Sequence, residues 1–264
     1  MLLWQIARGD APLIVSVPHA GRHVPDAIAL RLSPVARRVP DTDWHVDKLY
    51  RFVAATGATL IAATHSRYVV DLNRDPSGTA LYPGADNTEL CPTRTFAGEP
   101  VYAPAEEPGE AEISARRATF FDAYHALLAG ETARVRERHG FAVLLDGHSI
   151  ASRVPRFFAG RLPDLNLGTN DGASCEPSVQ ALATDVIATA SGFTHVVNGR
   201  FKGGYITRRY GRPAHGVHAL QLEMAQAGYM DEADPESFDA ARAAPLARVL
   251  ERLAIVLSEW RPSR

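Results

Sequence analysis

Cysteine is scarce in this chain: Cys91 and Cys175 are the two in 264 residues. They fit no Cys-x-x-Cys pattern and cannot supply the disulfide framework on which small secreted domains depend, so a reducing compartment, the cytoplasm, is expected. A strong charge of either sign is missing as well. The 28 Lys and Arg nearly balance 30 Asp and Glu, for a formal net charge of −2 and a pI of about 6.6. Such a field gives no push toward nucleic acid or an anionic membrane surface, which leaves a small molecule as the expected partner. No apolar run reaches the roughly 18 residues of a membrane span. Residues 1–10 lack both the basic segment and the apolar core of an export signal. Repeats, low-complexity tracts and composition breaks are absent too, so one domain is expected over residues 1–264.

What is present is an ordinary globular composition, 46% hydrophobic and 22% charged, enough for one large core. Short runs rich in Val, Leu and Ile occur at 13–17, 59–63, 68–72, 141–145, 195–197 and 219–223, with weak alternation, as in strands buried on both faces. Helical spacing appears at 44–55, 113–139 and 176–191, and again where Leu246, Val249, Leu250, Leu253, Val256, Leu257 and Trp260 recur every three or four residues. The pattern predicts an α/β fold, a mixed and mostly parallel sheet flanked by helices. Asp234-Pro235 is expected to cap the final helical region, and Pro245 to break it. Residues 75–109 and 153–173 are rich in Pro and Gly, and long ordered loops of this kind frame sites.

Two of the apolar runs stop on histidine. Residues 141–145 lead into Asp146-Gly147-His148-Ser149, and residues 13–17 lead into Pro18-His19-Ala20-Gly21. Paired histidines at strand ends suggest one shared metal, because a catalytic zinc takes three ligands from His, Asp, Glu and Cys and keeps a fourth position open. The carboxylate ligand is sought in Asp41-Thr42-Asp43-Trp44-His45-Val46-Asp47, where Asp43 and Asp47 would share a face if a helix begins there; the alternative is that these acids cap the helix. His23, four residues after His19, is a competing ligand. Glu223 ends an apolar run, where desolvation would raise its pKa toward the range of a general base. Asn73-Arg74 follows another run, and Arg74 suits a substrate carboxylate. The basic segment 198–211 offers further cations and Gly203-Gly204, a sign of close backbone approach; Arg200 and Arg212 are read as solvated. Two other chemistries stay open. Gly147-His148-Ser149-Ile150-Ala151 is close to a nucleophile elbow that would make Ser149 a serine-hydrolase nucleophile, although residues 153–156 start a helix poorly. Asp146-Gly147-His148 also hints at a binuclear ureohydrolase site, but Ser149 stands where a second acid is needed.

Taken together, Val17-Pro18-His19-Ala20-Gly21-Arg22-His23-Val24-Pro25, the Asp41 to Asp47 cluster, Ser66-Arg67-Tyr68-Val69-Val70-Asp71-Leu72-Asn73-Arg74, Asp146-Gly147-His148-Ser149 and Lys202-Gly203-Gly204-Tyr205-Ile206-Thr207-Arg208 resemble the N-formylglutamate amidohydrolase (deformylase) family, in order and across nearly the whole chain. The resemblance implies a zinc-carboxypeptidase-like fold and hydrolysis of N-formyl-L-glutamate, a dicarboxylate, to formate and glutamate at the end of a bacterial histidine-degradation route. Related deacylases and carboxypeptidases use His-x-x-Glu for two ligands; here Arg22 stands at the Glu position. The implied zinc ligands are therefore His19, His148 and Asp43, with Asp47 as fallback. Glu223 takes the role of base, Asn73-Arg74 that of the carboxylate-binding pair, Arg208 or Arg209 that of the second cation, and Tyr205 that of a hydrogen-bond donor. A broader N-acyl-amino-acid deacylase is the nearest alternative.

Overall fold

A computed structural model of the chain describes residues 2–81, 84 and 86–262. Seven strands form one sheet: β1 (Trp4–Ala7), β2 (Leu13–Val17), β3 (Thr59–Ala63), β4 (Ala142–Ile150), β5 (Leu165–Gly168), β6 (His195–Val197) and β7 (Val217–Ala225). Their order across the sheet is β1-β3-β2-β4-β7-β5-β6. The central strands β3, β2, β4 and β7 run parallel, β1 is antiparallel to β3, and β5 is antiparallel to β7 but parallel to β6. The sheet is thus mixed and mostly parallel, as the sequence predicts.

The α-helices are α1 (Asp26–Ala29), α2 (Val46–Leu49), α3 (Glu110–Arg116), α4 (Asp122–His139), α5 (Pro177–Ala188), α6 (Tyr205–Tyr210) and α7 (Ala240–Glu259). Side chains alternate across a strand, so each central strand feeds two cores. Leu13, Val15, Val143, Leu145, Leu220 and Leu222 meet Val179, Ala183 and Ile187 of α5 and Leu246, Leu250, Leu253 and Leu257 of α7. On the opposite face Ile14, Ile61, Leu144 and Ala219 meet Tyr124, Leu128 and Val135 of α4. Burial on both faces explains why the strands read as continuous apolar runs.

Four expectations are corrected. Residues 68–72 form no strand: the Val69 N–H donates to the Ser66 carbonyl at 2.9 Å in a turn, and the apolar side chains are buried all the same. Burial without a ladder leaves the same trace in sequence as a buried strand. Residues 44–55 are not one helix but α2 followed by a 3-10 segment, Arg51–Thr56, with His45 in the left-handed region (φ 63°) before α2. The last helix is capped by Asp239, which accepts the N–H groups of Ala241 (2.9 Å) and Arg242 (3.1 Å), rather than by Asp234. Pro245 lies within α7 without breaking it; it forfeits one backbone hydrogen bond, which the buried leucine stripe beyond it outweighs. The sequence also concealed β1, β5 and α6, all short.

Candidate metal centre and cleft

β4 does not stop at Leu145; it continues through the polar residues to Ile150. Asp146 and His148 therefore project from the same face as Leu144. Their partners in register on β7 are Gln221 and Glu223, and Ser16 on β2 is in register with Asp146. His19 follows β2 by two residues. The parallel strands thus deliver their polar side chains to one carboxyl-terminal edge, where α/β sheets carry ligand sites.

His19, Asp43 and His148 are buried together, and one ligand atom from each lies within 4.8 Å of the others. Each imidazole is oriented from behind by a carboxylate: His19 Nε2 is 2.9 Å from Asp71 Oδ1, and His148 Nε2 is 2.7 Å from Asp146 Oδ2. Asp146 is itself fixed by the Ser16 hydroxyl at 2.9 Å. Both Nδ1 atoms face Asp43, at 3.8 Å from His19 and 3.0 Å from His148. An Arg67 guanidinium nitrogen donates to His19 Nδ1 and to Asp43 Oδ1, both at 2.6 Å. Asp43 Oδ2 also accepts the Ser149 N–H at 3.2 Å.

The electrostatics follow from burial set against these partners. Burial lowers the His19 pKa and Arg67 adds to the effect, so His19 is neutral. Burial acts in the same sense on His148, but Asp146 and Asp43 outweigh it and hold its pKa well above the usual value. Burial would raise Asp43; Arg67 and His148 overcome it and keep its carboxyl ionised. Two imidazoles with Nδ1 atoms turned toward one carboxylate suit a divalent cation in donor type, and Asp71 and Asp146 behind their Nε2 atoms fix the rings as such donors require. The donor set fits a metal ion.

Asp47 lies partly exposed on α2, outside this group, and His23 packs against the ring of His65 with centroids 4.8 Å apart. No acid of residues 41–43 caps α2; Asp41 instead accepts the Tyr68 hydroxyl at 2.6 Å and the Phe96 N–H at 2.9 Å. Ser149 sits inside a strand, not at a strand-to-helix turn. Its hydroxyl accepts from Tyr229 at 2.8 Å and Gln226 at 3.3 Å, so no nucleophile elbow is built.

A cleft of about 580 Å³, counting its open mouth, reaches this cluster and is lined by His19, Asn73, Arg74, His148 and Glu223 among others. Both loop regions singled out in the sequence contribute, through Thr88 and Phe96 and through Phe157. Burial lifts the Glu223 pKa to about 8. Asn73 Nδ2 is 3.1 Å from His148 Nε2, and its Oδ1 accepts the Ile206 N–H at 2.7 Å. A Cβ on Gly204 would lie 2.2 Å from that amide, so the close approach expected at Gly203-Gly204 is to Asn73. Arg74 Nε donates to the Thr88 hydroxyl at 2.9 Å. Tyr205, Arg208 and Arg209 do not line the cleft. Tyr205 packs on Phe121 and His125, Arg208 Nε donates to the Gly203 carbonyl at 2.9 Å, and Arg209 is exposed.

The sequence pointed to His19, Asp43 and His148, which the fold brings together in a group that could hold a metal ion, but not to Arg67 or to the orienting contacts of Asp71 and Asp146. All three stood inside quoted motifs. Only Asp146, two residues before His148 on one strand, carried a readable signal.

A sheet edge with two carboxylate-backed histidines, a facing carboxylate and a desolvated acid in a cleft defines an α/β enzyme of the hydrolytic class. A family model described as N-formylglutamate amidohydrolase matches residues 11–230. Proteins named N-formylglutamate deformylase from Pseudomonas putida and Pseudomonas aeruginosa are 45% and 46% identical to the chain, over 97% and 96% of it and 96% and 95% of their own lengths. A crystal structure of N-formylglutamate amidohydrolase from Ralstonia eutropha superposes with a TM-score of 0.82 at 28% identity, covering 98% of each chain. A gene product of Agrobacterium tumefaciens shares the fold, with a TM-score of 0.70 at 19% identity over 98% and 97% of the two chains. The chain belongs to the N-formylglutamate amidohydrolase family.

Proposed function

We propose that the chain hydrolyses N-formyl-L-glutamate to formate and L-glutamate with the help of one zinc ion. The observation that carries this reading is the buried His19, Asp43 and His148 group beside Glu223 in a cleft that also presents arginine, in a chain so similar to named deformylases over its length. His19, Asp43 and His148 would hold the zinc, which would supply Lewis-acid polarisation and make water easier to deprotonate.

The chain's own residues do the rest. Glu223 takes a proton from the attacking water and returns it to the amine nitrogen as the formyl C–N bond breaks. Desolvation puts its carboxyl at about 8, within reach of proton exchange near neutral pH. Asp71 and Asp146 hold the imidazoles in register, and Arg67 anchors Asp43. Arg74, with Asn73 beside it, binds a substrate carboxylate as a fork. The enzyme works in the cytoplasm, at the last step of a histidine-degradation route. No helix among the described residues is long and apolar enough to cross a membrane.

Formate release from N-formyl-L-glutamate, followed before and after chelation and zinc restoration, tests the proposal. Chelator-sensitive and zinc-restored release is expected. Release that survives complete metal removal would return attention to Ser149, and no release by zinc-loaded protein would redirect the search to other N-acyl amino acids.

A further inference from the structure

Read as sequence, Arg200 belongs to a solvated basic loop; in the structure it is half-buried and lines the same cleft as Arg74, His148 and Glu223. Its position is built rather than incidental. Just after β6 the Asn198 backbone turns into the left-handed region (φ 51°), and its N–H donates to the Leu167 carbonyl at 2.7 Å. The Asn198 side chain accepts the Thr169 N–H at 2.8 Å and donates to the Thr169 hydroxyl at 2.9 Å. On the other side of Arg200, the Lys202 carbonyl accepts the Asn170 N–H at 2.6 Å, and the Lys202 ammonium pairs with Asp171 at 3.0 Å. The chain is thus bolted to the end of β5 before and after this residue. Arg200 Nε donates to the Phe157 carbonyl at 2.7 Å, which sets the plane of the guanidinium, and the group lies 5.4 Å over the Phe201 ring.

The charges of the wall point the same way. Among the described residues the cleft is lined by three arginines, Arg67, Arg74 and Arg200, against two carboxylates, Asp86 and Glu223. Arg67 is committed to Asp43, and Asp86 is held in a bidentate pair by Arg156 at 2.7 and 2.9 Å. A cleft with this balance favours an anion, and two arginines from separate segments suit one with two negative ends.

Resting on the deformylase reading above, we infer that Arg200 is the specificity-determining contact for the side-chain carboxylate of an N-acyl acidic amino acid. Arg74, next to the Asn73 that touches His148, takes the α-carboxylate, which lies only two bonds from the scissile nitrogen. Arg200, beside Phe157 and Phe201, takes the more distant charge. This assigns the second cation to Arg200 in place of Arg208 or Arg209.

Zinc-loaded full-length protein and its Arg200→Gln, Arg200→Lys and Arg74→Gln variants are compared on N-formyl-L-glutamate and on N-formyl-L-glutamine, which has the same length without the terminal charge. Arg200→Gln is expected to lose roughly 10- to 100-fold in kcat/KM on the first, through KM, and less than about threefold on the second. Arg200→Lys should fall between, and Arg74→Gln should weaken both substrates alike, since both carry the α-carboxylate. Equal losses for Arg200→Gln on the two substrates, no loss on either, or selectivity that follows Arg74 instead would overturn the assignment. Calorimetric binding of glutarate and its monoamide to wild type and Arg200→Gln separates this inference from the reaction. If the wild type hydrolyses neither substrate, the deformylase reading fails, while loss of the preference for glutarate on Arg200→Gln still upholds the contact and its persistence sinks it.

Discussion

β4 is buried from end to end, but residues 142–145 and residues 146–150 use that burial in opposite ways. Ala142, Val143, Leu144 and Leu145 are fully enclosed hydrocarbon between two layers of helices. There, removal from water stabilises the fold, by about 1.5–3 kcal/mol for each large aliphatic side chain. Asp146 and His148 are enclosed to nearly the same degree, and for them removal from water is a cost. It is offset by Ser16, Asp43 and Asn73, contributed by segments far apart in the chain. The first half makes the sheet rigid; the second half uses that rigidity to hold charged groups that would rearrange in water. Burial is a source of stability in one half and of shifted reactivity in the other.

That contrast can be broken from either end. The largest effect is expected at the polar end: Glu223→Gln, the residue paired in register with His148, should lower kcat on N-formyl-L-glutamate by about 10²- to 10⁴-fold with little change in KM or melting temperature. Formate-release kinetics measure it, and near-normal turnover would remove Glu223 as the proton carrier. At the apolar end, Leu144→Ala should destabilise the protein by about 2–5 kcal/mol in urea unfolding while the folded fraction keeps its kcat. A large fall in turnover without loss of stability there would mean that the two halves are not separable. The smallest effect is expected behind the candidate metal donors, where Asp71→Asn should weaken zinc binding about 10- to 100-fold in competition with a chromogenic chelator. Unchanged affinity would reduce Asp71 to a partner of Arg67 and Asn73 alone.

The same division governs how much could be read from sequence. Apolar periodicity marked β2, β3, β4 and β7 and the long stretches of α4, α5 and α7, because core-facing spacing is local. It failed at residues 68–72, where buried apolar side chains sit in a turn whose direction is set by what flanks it. Arg67 reaches Asp43, and Asp71 reaches His19, so the backbone bends to serve both. It failed for β1 and β5, which have only four residues each and so leave too short a run to read. The site divides likewise. His19 and His148 were legible as histidines ending apolar runs. The choice of Asp43 over Asp47 in the donor cluster was not, since it depends on α2 beginning only at Val46, after a left-handed residue at His45. Arg200 was misread because a glycine-rich basic segment has the same composition in solvent and against a cleft wall; the difference lies in Asn198 and Lys202, which fasten it to β5.

Composition and spacing, then, determined that this chain forms an α/β sheet with its chemistry at the strand ends, and the ordered motifs pointed to its family. Both are local properties, carried by residues within a few positions of one another. Which acid joins the histidines, that Asp71 stands behind His19 and which arginines face the cleft were decided by tertiary structure alone. Apart from Asp146, two residues before His148, the contacts joining the histidines, their acids and Arg67 span 24 to 105 residues of the chain, and only the assembled sheet, by excluding water, makes their charges strong enough to matter to one another.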